Sequence, residues 1–88
     1  MMGTEQILDV RGLEQPEPLL RALAALGELQ RGQYLHLLSH RDPVLLYPLL
    51  VQQGFAYEKS VDHAAMIELL IWRKGDSVAE RGVRELST

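Results

Sequence analysis

The residues with chemistry to offer fall into three groups. Arg11 and Gly12, followed by Gln15-Pro16-Glu17-Pro18, put a guanidinium, a carboxamide and a carboxylate where a strand should give way to a helix. The first backbone N–H groups of a helix have no partner inside it, so such a loop can receive an anion or a polar ligand beside Arg11; Glu17 competes by already answering the positive end of the helix dipole. Arg11, Gly12, Gln15 and Glu17 are therefore the candidate ligand-binding residues. The second group is His36, His40 and Glu68, two imidazoles and a carboxylate of the types that bind zinc. Its spacing lacks the helical pairing that makes a histidine set specific for metal, and solvated polar side chains are the simpler reading, so no metal or other cofactor is expected. The third group is Ser39, Ser60 and Ser77, none of which sits in a nucleophile-elbow context, and no catalytic residue is expected.

Composition removes further classes of function. The chain has no cysteine, which excludes a disulfide, a thiolate metal site and a cysteine nucleophile or sulfur carrier. Nine basic residues against twelve acidic ones give a net charge of −3, and only Arg73-Lys74 are adjacent, so a nucleic-acid partner is not expected. The first residues lack the basic and apolar regions of a signal peptide, and no apolar run approaches the roughly 20 residues of a membrane helix. A cytoplasmic protein without membrane contact is the expectation. With 88 residues, 47% of them hydrophobic, the chain can bury one core and not two.

Glycine and proline punctuate the elements that must position these groups. Gln6 to Val10 alternates as a strand with Leu8 and Val10 on one face, and Pro18 suits the first position of a helix whose stripe is Leu19, Leu20, Leu23 and Leu26. Tyr34 to Ser39 predicts a second strand. Asp42-Pro43 predicts an N-cap and first helical residue for a helix over Val44 to Gln53, closed by Gly54, with Pro48 imposing a kink or a tight first turn. Phe55 to Ser60 and Ala65 to Arg73 read as a terminal hairpin. Right-handed crossovers then place both helices on one face of one sheet, giving a two-layer α/β sandwich over residues 6–74 after a short extension, 1–5. Residues 75–88 read as a polar, frayed tail with one helical turn at most: Ser77-x-x-Glu80 is a possible capping box, but Gly82 interrupts the segment and large apolar residues are too few.

If Leu35, Leu37, Ile67, Leu69 and Ile71 face the helices, then Leu38, Met66, Leu70 and Trp72 share the uncovered side. An apolar patch containing the single tryptophan predicts a protein partner or self-association through the open face, unless the C-terminal tail folds back over it.

The run Ile7-Leu8-Asp9-Val10-Arg11-Gly12-Leu13, followed by Gln15-Pro16-Glu17-Pro18-Leu19, resembles the opening of the TusA/SirA-like family, where an Arg-Gly-Leu turn and a Cys-Pro-x-Pro motif start the first helix. Asp42-Pro43, Leu46-Tyr47 and Gly54-Phe55-x-Tyr57-Glu58 are similar to its sister family, domain of unknown function 2249, in which Pro-Glu-Pro is usual and the cysteine is normally absent. The resemblance covers residues 6 to 73. It implies a fold similar to the C-terminal domain of translation initiation factor three, with sheet order 1-2-4-3 and the last strand antiparallel to the others. In TusA-like proteins the motif cysteine carries a persulfide; the matching position here is Gln15, whose carboxamide cannot, so that activity does not transfer. The histidine that the sister family shows ahead of Asp-Pro is displaced by one residue in Ser39-His40-Arg41-Asp42-Pro43. The expectation is a non-catalytic binding or protein-interaction module, acting through the open sheet face or the Arg11 to Pro18 loop. An accessory or regulatory role in sulfur or redox metabolism is the alternative that the family implies. RNA binding follows from the implied fold alone.

Overall fold

The structure, a computed structural model, describes residues 3–87. Its elements run β1 (Thr4–Asp9), α1 (Glu17–Gly27), β2 (Gln33–Ser39), α2 (Leu46–Gln52), β3 (Phe55–Val61), β4 (Ile67–Arg73) and α3 (Ser77–Ser87). The sheet has the expected order β1-β2-β4-β3, with β1 parallel to β2 and β4 antiparallel to both β2 and β3. Alternation in the two central strands divides the interior. Leu35, Leu37, Ile67, Leu69 and Ile71 turn toward α1 and α2, where they meet Ala22, Leu26, Leu46 and Leu50. In α1 the stripe differs from expectation by one position, since Leu20 is exposed and Ala22 is buried in its place.

The first departure concerns α2. Asp42 does not cap it; Leu45 is the N-cap residue and no side chain bonds to the helix start. A tight turn, Leu46 N–H to Pro43 O at 2.9 Å, precedes the helix instead. Pro48 then falls within the first turn, where a backbone N–H has no intrahelical partner to lose, so it does not break the helix. Gly54 closes α2 as expected with φ at 81°.

The second departure changes the architecture. Residues 77–87 are helical, and α3 lies across the face that was expected to be open, converting the two-layer sandwich into three layers. Ala79 and Val83 are fully buried against Tyr34 and Trp72, and the indole is only 4% exposed. Trp72 and Leu70 are therefore covered by this chain's own helix. The predicted interaction surface is split, because Leu38 and Met66 remain half-buried on the same face. Gly82, unfavourable within a helix by propensity, is what lets this helix dock. A Cβ at Gly82 would lie 2.9 Å from both Gly3 Cα and Tyr34 Cε1. Glycine inside a helix costs about 1 kcal/mol, whereas burial of a side chain such as Val83 contributes about 1.5–3 kcal/mol, so packing wins over propensity.

Asp76 sets where α3 begins. Its Oδ1 accepts the Ala79 N–H at 3.0 Å and its Oδ2 accepts the Gly32 N–H at 2.8 Å, tying the helix to the turn that enters β2. At the same connection, Arg73 donates to Leu29 O at 2.7 Å and Leu26 O at 3.3 Å, so a cation from β4 meets the negative end of α1.

Gly82→Val forces a side chain into Tyr34 and the Gly3 backbone, and overpacking of this kind costs about 1–3 kcal/mol. The variant should melt at a lower temperature than the parent, with red-shifted emission from Trp72 as water reaches the indole. An unchanged melting curve together with an unchanged emission maximum would contradict the packing of α3.

Candidate functional site

The parallel strands β1 and β2 end side by side, and the loops that leave them enclose a cleft of 470 Å³. The Val10 N–H donates to Leu38 O at 2.9 Å, which carries the strand pairing one residue past β1 before the chain turns through Leu13 N–H to Val10 O at 3.2 Å. This places Leu13, Glu14 and Gln15 on one wall. His40, Arg41 and the segment to Leu45 form the other. Val10, Ala22, Leu37 and Leu46 close the floor, all at most 3% exposed. Apolar side chains continue to the mouth: Leu13 is 37% exposed, Val44 62% and Leu45 63%.

Ser39 holds the second wall in place. By alternation it points to the same side as Leu35 and Leu37, and a buried hydroxyl there needs partners. It donates to Arg41 O at 2.7 Å and accepts the Arg41 N–H at 3.2 Å, closing the loop on itself. No buried side-chain nitrogen or oxygen among the described residues lacks a partner. Further along, Asp42 accepts from Tyr47 Oη at 2.5 Å and from Lys59 Nζ at 2.9 Å, linking the loop to α2 and to β3. The Tyr47 hydroxyl and the Lys59 ammonium hold the Asp42 carboxyl below its usual range. Burial, with Asp42 beside it, pushes the Tyr47 phenol up. Tyr47 also packs on Tyr57, with ring centroids 5.0 Å apart. The competition for Asp42 explains why it does not serve as a helix cap.

Of the four residues expected at the first loop, Gly12 and Gln15 line the cleft, while Arg11 and Glu17 do not. Arg11 is engaged elsewhere. Its Nε and Nη2 donate to the two oxygens of Asp9 at 2.8 and 2.6 Å, and its Nη1 reaches Met66 Sδ at 3.4 Å. Its two arms are occupied by a carboxylate, and Arg11 stands outside the lining of the cleft. Glu17 faces Arg21 one turn later at 3.4 Å. Of the set His36, His40 and Glu68, the structure brings His36 and Glu68 together and leaves His40 apart from them. His36 stands between Glu5 and Glu68, at 2.7 Å from Nδ1 and 2.9 Å from Nε2, so both ring nitrogens are engaged by carboxylates. His40 lies at the cleft, close enough to Asp9 to favour its ionised form. Among the described residues, no group of three or more histidine, aspartate or glutamate side chains is arranged to hold a metal ion.

Sequence reasoning missed the second wall. Ser39 was the available signal, a polar residue at an inward position of a strand just before its carboxyl end. Such a residue must be satisfied locally, and here that satisfaction fixes the Arg41 loop.

The residues that make this architecture match known proteins. A family model described as Uncharacterized conserved protein (DUF2249) matches residues 7–73, a span that stops short of α3. Among solved structures, a SirA-like protein from Desulfitobacterium hafniense is similar at 27% identity and a TM-score of 0.67, covering 77% of this chain and 95% of that one. No curated protein matches.

The Asp9 carboxyl, bonded by the Arg11 side chain and backbone N–H, is held down to about 2. Its pairing should therefore contribute stability above its ordinary value of 3.8 and lose that contribution as pH falls through about 2. Carboxyl carbon shifts followed through an acid titration should show Asp9 titrating well below the ordinary 3.8, and Arg11→Ala, which removes the side-chain bonds and keeps the backbone one, should raise it. A titration unchanged by Arg11→Ala would refute the clamp.

Proposed function

We propose a non-catalytic binding role, exercised in the cytoplasm, for this chain, which belongs to the DUF2249 family of uncharacterised conserved proteins. The observation that supports it is the cleft itself. An apolar floor between two loops, with a few polar groups at the mouth, is the usual form of a small-molecule site, and 470 Å³ lies within the usual range of size. Nothing in it is arranged for covalent chemistry. Ser39 uses its hydroxyl on the Arg41 backbone, and the chain has no thiol on which to carry a persulfide. Gln15, at the position that corresponds to the sulfur carriers' cysteine, faces the cleft as a hydrogen-bonding amide. Sulfur chemistry would thus be replaced by recognition.

The likeness to a SirA-like protein favours a second reading, an accessory or regulatory protein of sulfur or redox metabolism that meets a carrier's partners without carrying sulfur. The exposed rim of Leu13, Val44 and Leu45 is compatible with such a protein contact. RNA binding has no comparable support, since the net charge is −3.

The test is exposure of the ¹⁵N-labelled protein to a low-molecular-mass cell extract. Amide shifts should concentrate in residues 12–15 and 40–46, and Leu45→Asp, a change at an exposed rim position, should weaken them. Shifts confined to other parts of the molecule, or none at all, would defeat the assignment of the cleft.

A further inference from the structure

The charges around the cleft define what it can hold, an inference that rests on the binding role proposed above. Most carboxylates of this region are already matched. Asp9 is clamped by Arg11, and Asp42 is engaged by Tyr47 and Lys59. Two ionic side chains that line the cleft have no ion-pair partner among the described residues: Glu14, on the loop after β1, and Arg41, on the loop after β2. They are opposite in sign and come from different walls. Between them lies the apolar floor of Val10, Leu37 and Leu46.

We propose that the cleft binds a small zwitterion with a large apolar side chain, an α-amino acid of the phenylalanine kind. Its ammonium faces Glu14, its carboxylate faces Arg41, and its side chain rests on the floor. An apolar anion would satisfy Arg41 while bringing like charge to Glu14, and an apolar amine would do the reverse. Only a ligand with both ends answers both walls. Arg41 suits the carboxylate because its planar fork can donate two parallel hydrogen bonds, and the backbone from which it springs is fixed by Ser39 at 2.7 and 3.2 Å. Ser39 is thus a positioning residue for Arg41. His40, the neighbour of Arg41 on the same wall, adds a further donor at the carboxylate end.

Three probes isolate the charges: L-phenylalanine, 3-phenylpropionate and phenethylamine share one aromatic body and differ in their ends. With ¹⁵N-labelled protein, phenylalanine should shift the amides of residues 12–15 and 40–46 and bind roughly tenfold more tightly than either singly charged probe, the scale of one charge-assisted hydrogen-bonded pair. Arg41→Ala should erase its advantage over phenethylamine, and Glu14→Ala its advantage over phenylpropionate. Both positions are exposed, and unchanged amide shifts away from the cleft will show that each variant folds. Equal affinity for the three probes, or tighter binding of a singly charged one, overturns the zwitterion and leaves the cleft as the binding site. No cleft shift with phenylalanine overturns it as well. In that case the cell-extract experiment separates the two ideas: cleft shifts there preserve the binding role, and none removes both.

Discussion

The antiparallel pairing of β2 with β4 is the constraint on which the rest of this molecule depends. Both strands are central, and one face of each is buried under α1 and α2 while the other is partly covered by α3. Period-two alternation sends Leu35, Leu37, Ile67, Leu69 and Ile71 to α1 and α2, and sends Tyr34, Leu70 and Trp72 to α3. A slip of one residue in this register would exchange the two sets. It would also turn Ser39 away from the loop it secures, so the second wall of the cleft is a product of the same register.

The strands and the first helix were readable because their signals are local. Alternating leucines, a proline at a helix start and glycine after a helix each act within a few residues. The third helix was not readable for the opposite reason. Its buried face is Ala79, Gly82 and Val83, small side chains that score poorly as a hydrophobic stripe. Their value arises from what they approach, namely Trp72 across the β4–α3 turn and, far away in sequence, Gly3 and the ring of Tyr34. Trp72 itself was correctly placed on the outer face by alternation, and only its neighbour was missing from the reading.

The candidate site divides along the same line. The loop after β1 could be found from its residue types, and Gly12 and Gln15 do line the cleft. Which charges remain available could not be found that way. Arg11 and Arg41 are equal in composition, yet one is clamped by Asp9 two residues earlier and the other has no ion-pair partner among the described residues. Asp42-Pro43 has the form of a helix cap, but a phenol from α2 and an ammonium from β3 occupy the Asp42 carboxylate. Ionic pairing is a property of assembled neighbours, and a linear sequence offers several pairings of similar merit. The replacement of a family's thiol by Gln15 was legible at once, since it needs no neighbours to have its effect.

Lys59 has a role beyond its bond to Asp42. It sits on β3, at the margin of the sheet, where unpaired backbone groups would accept a strand from another molecule. With helices packed on both faces, the margins are where strand-to-strand stacking would start. A charged side chain on an edge strand disfavours lateral pairing with another strand, so the residue that ties β3 to Asp42 also places charge where such growth would begin.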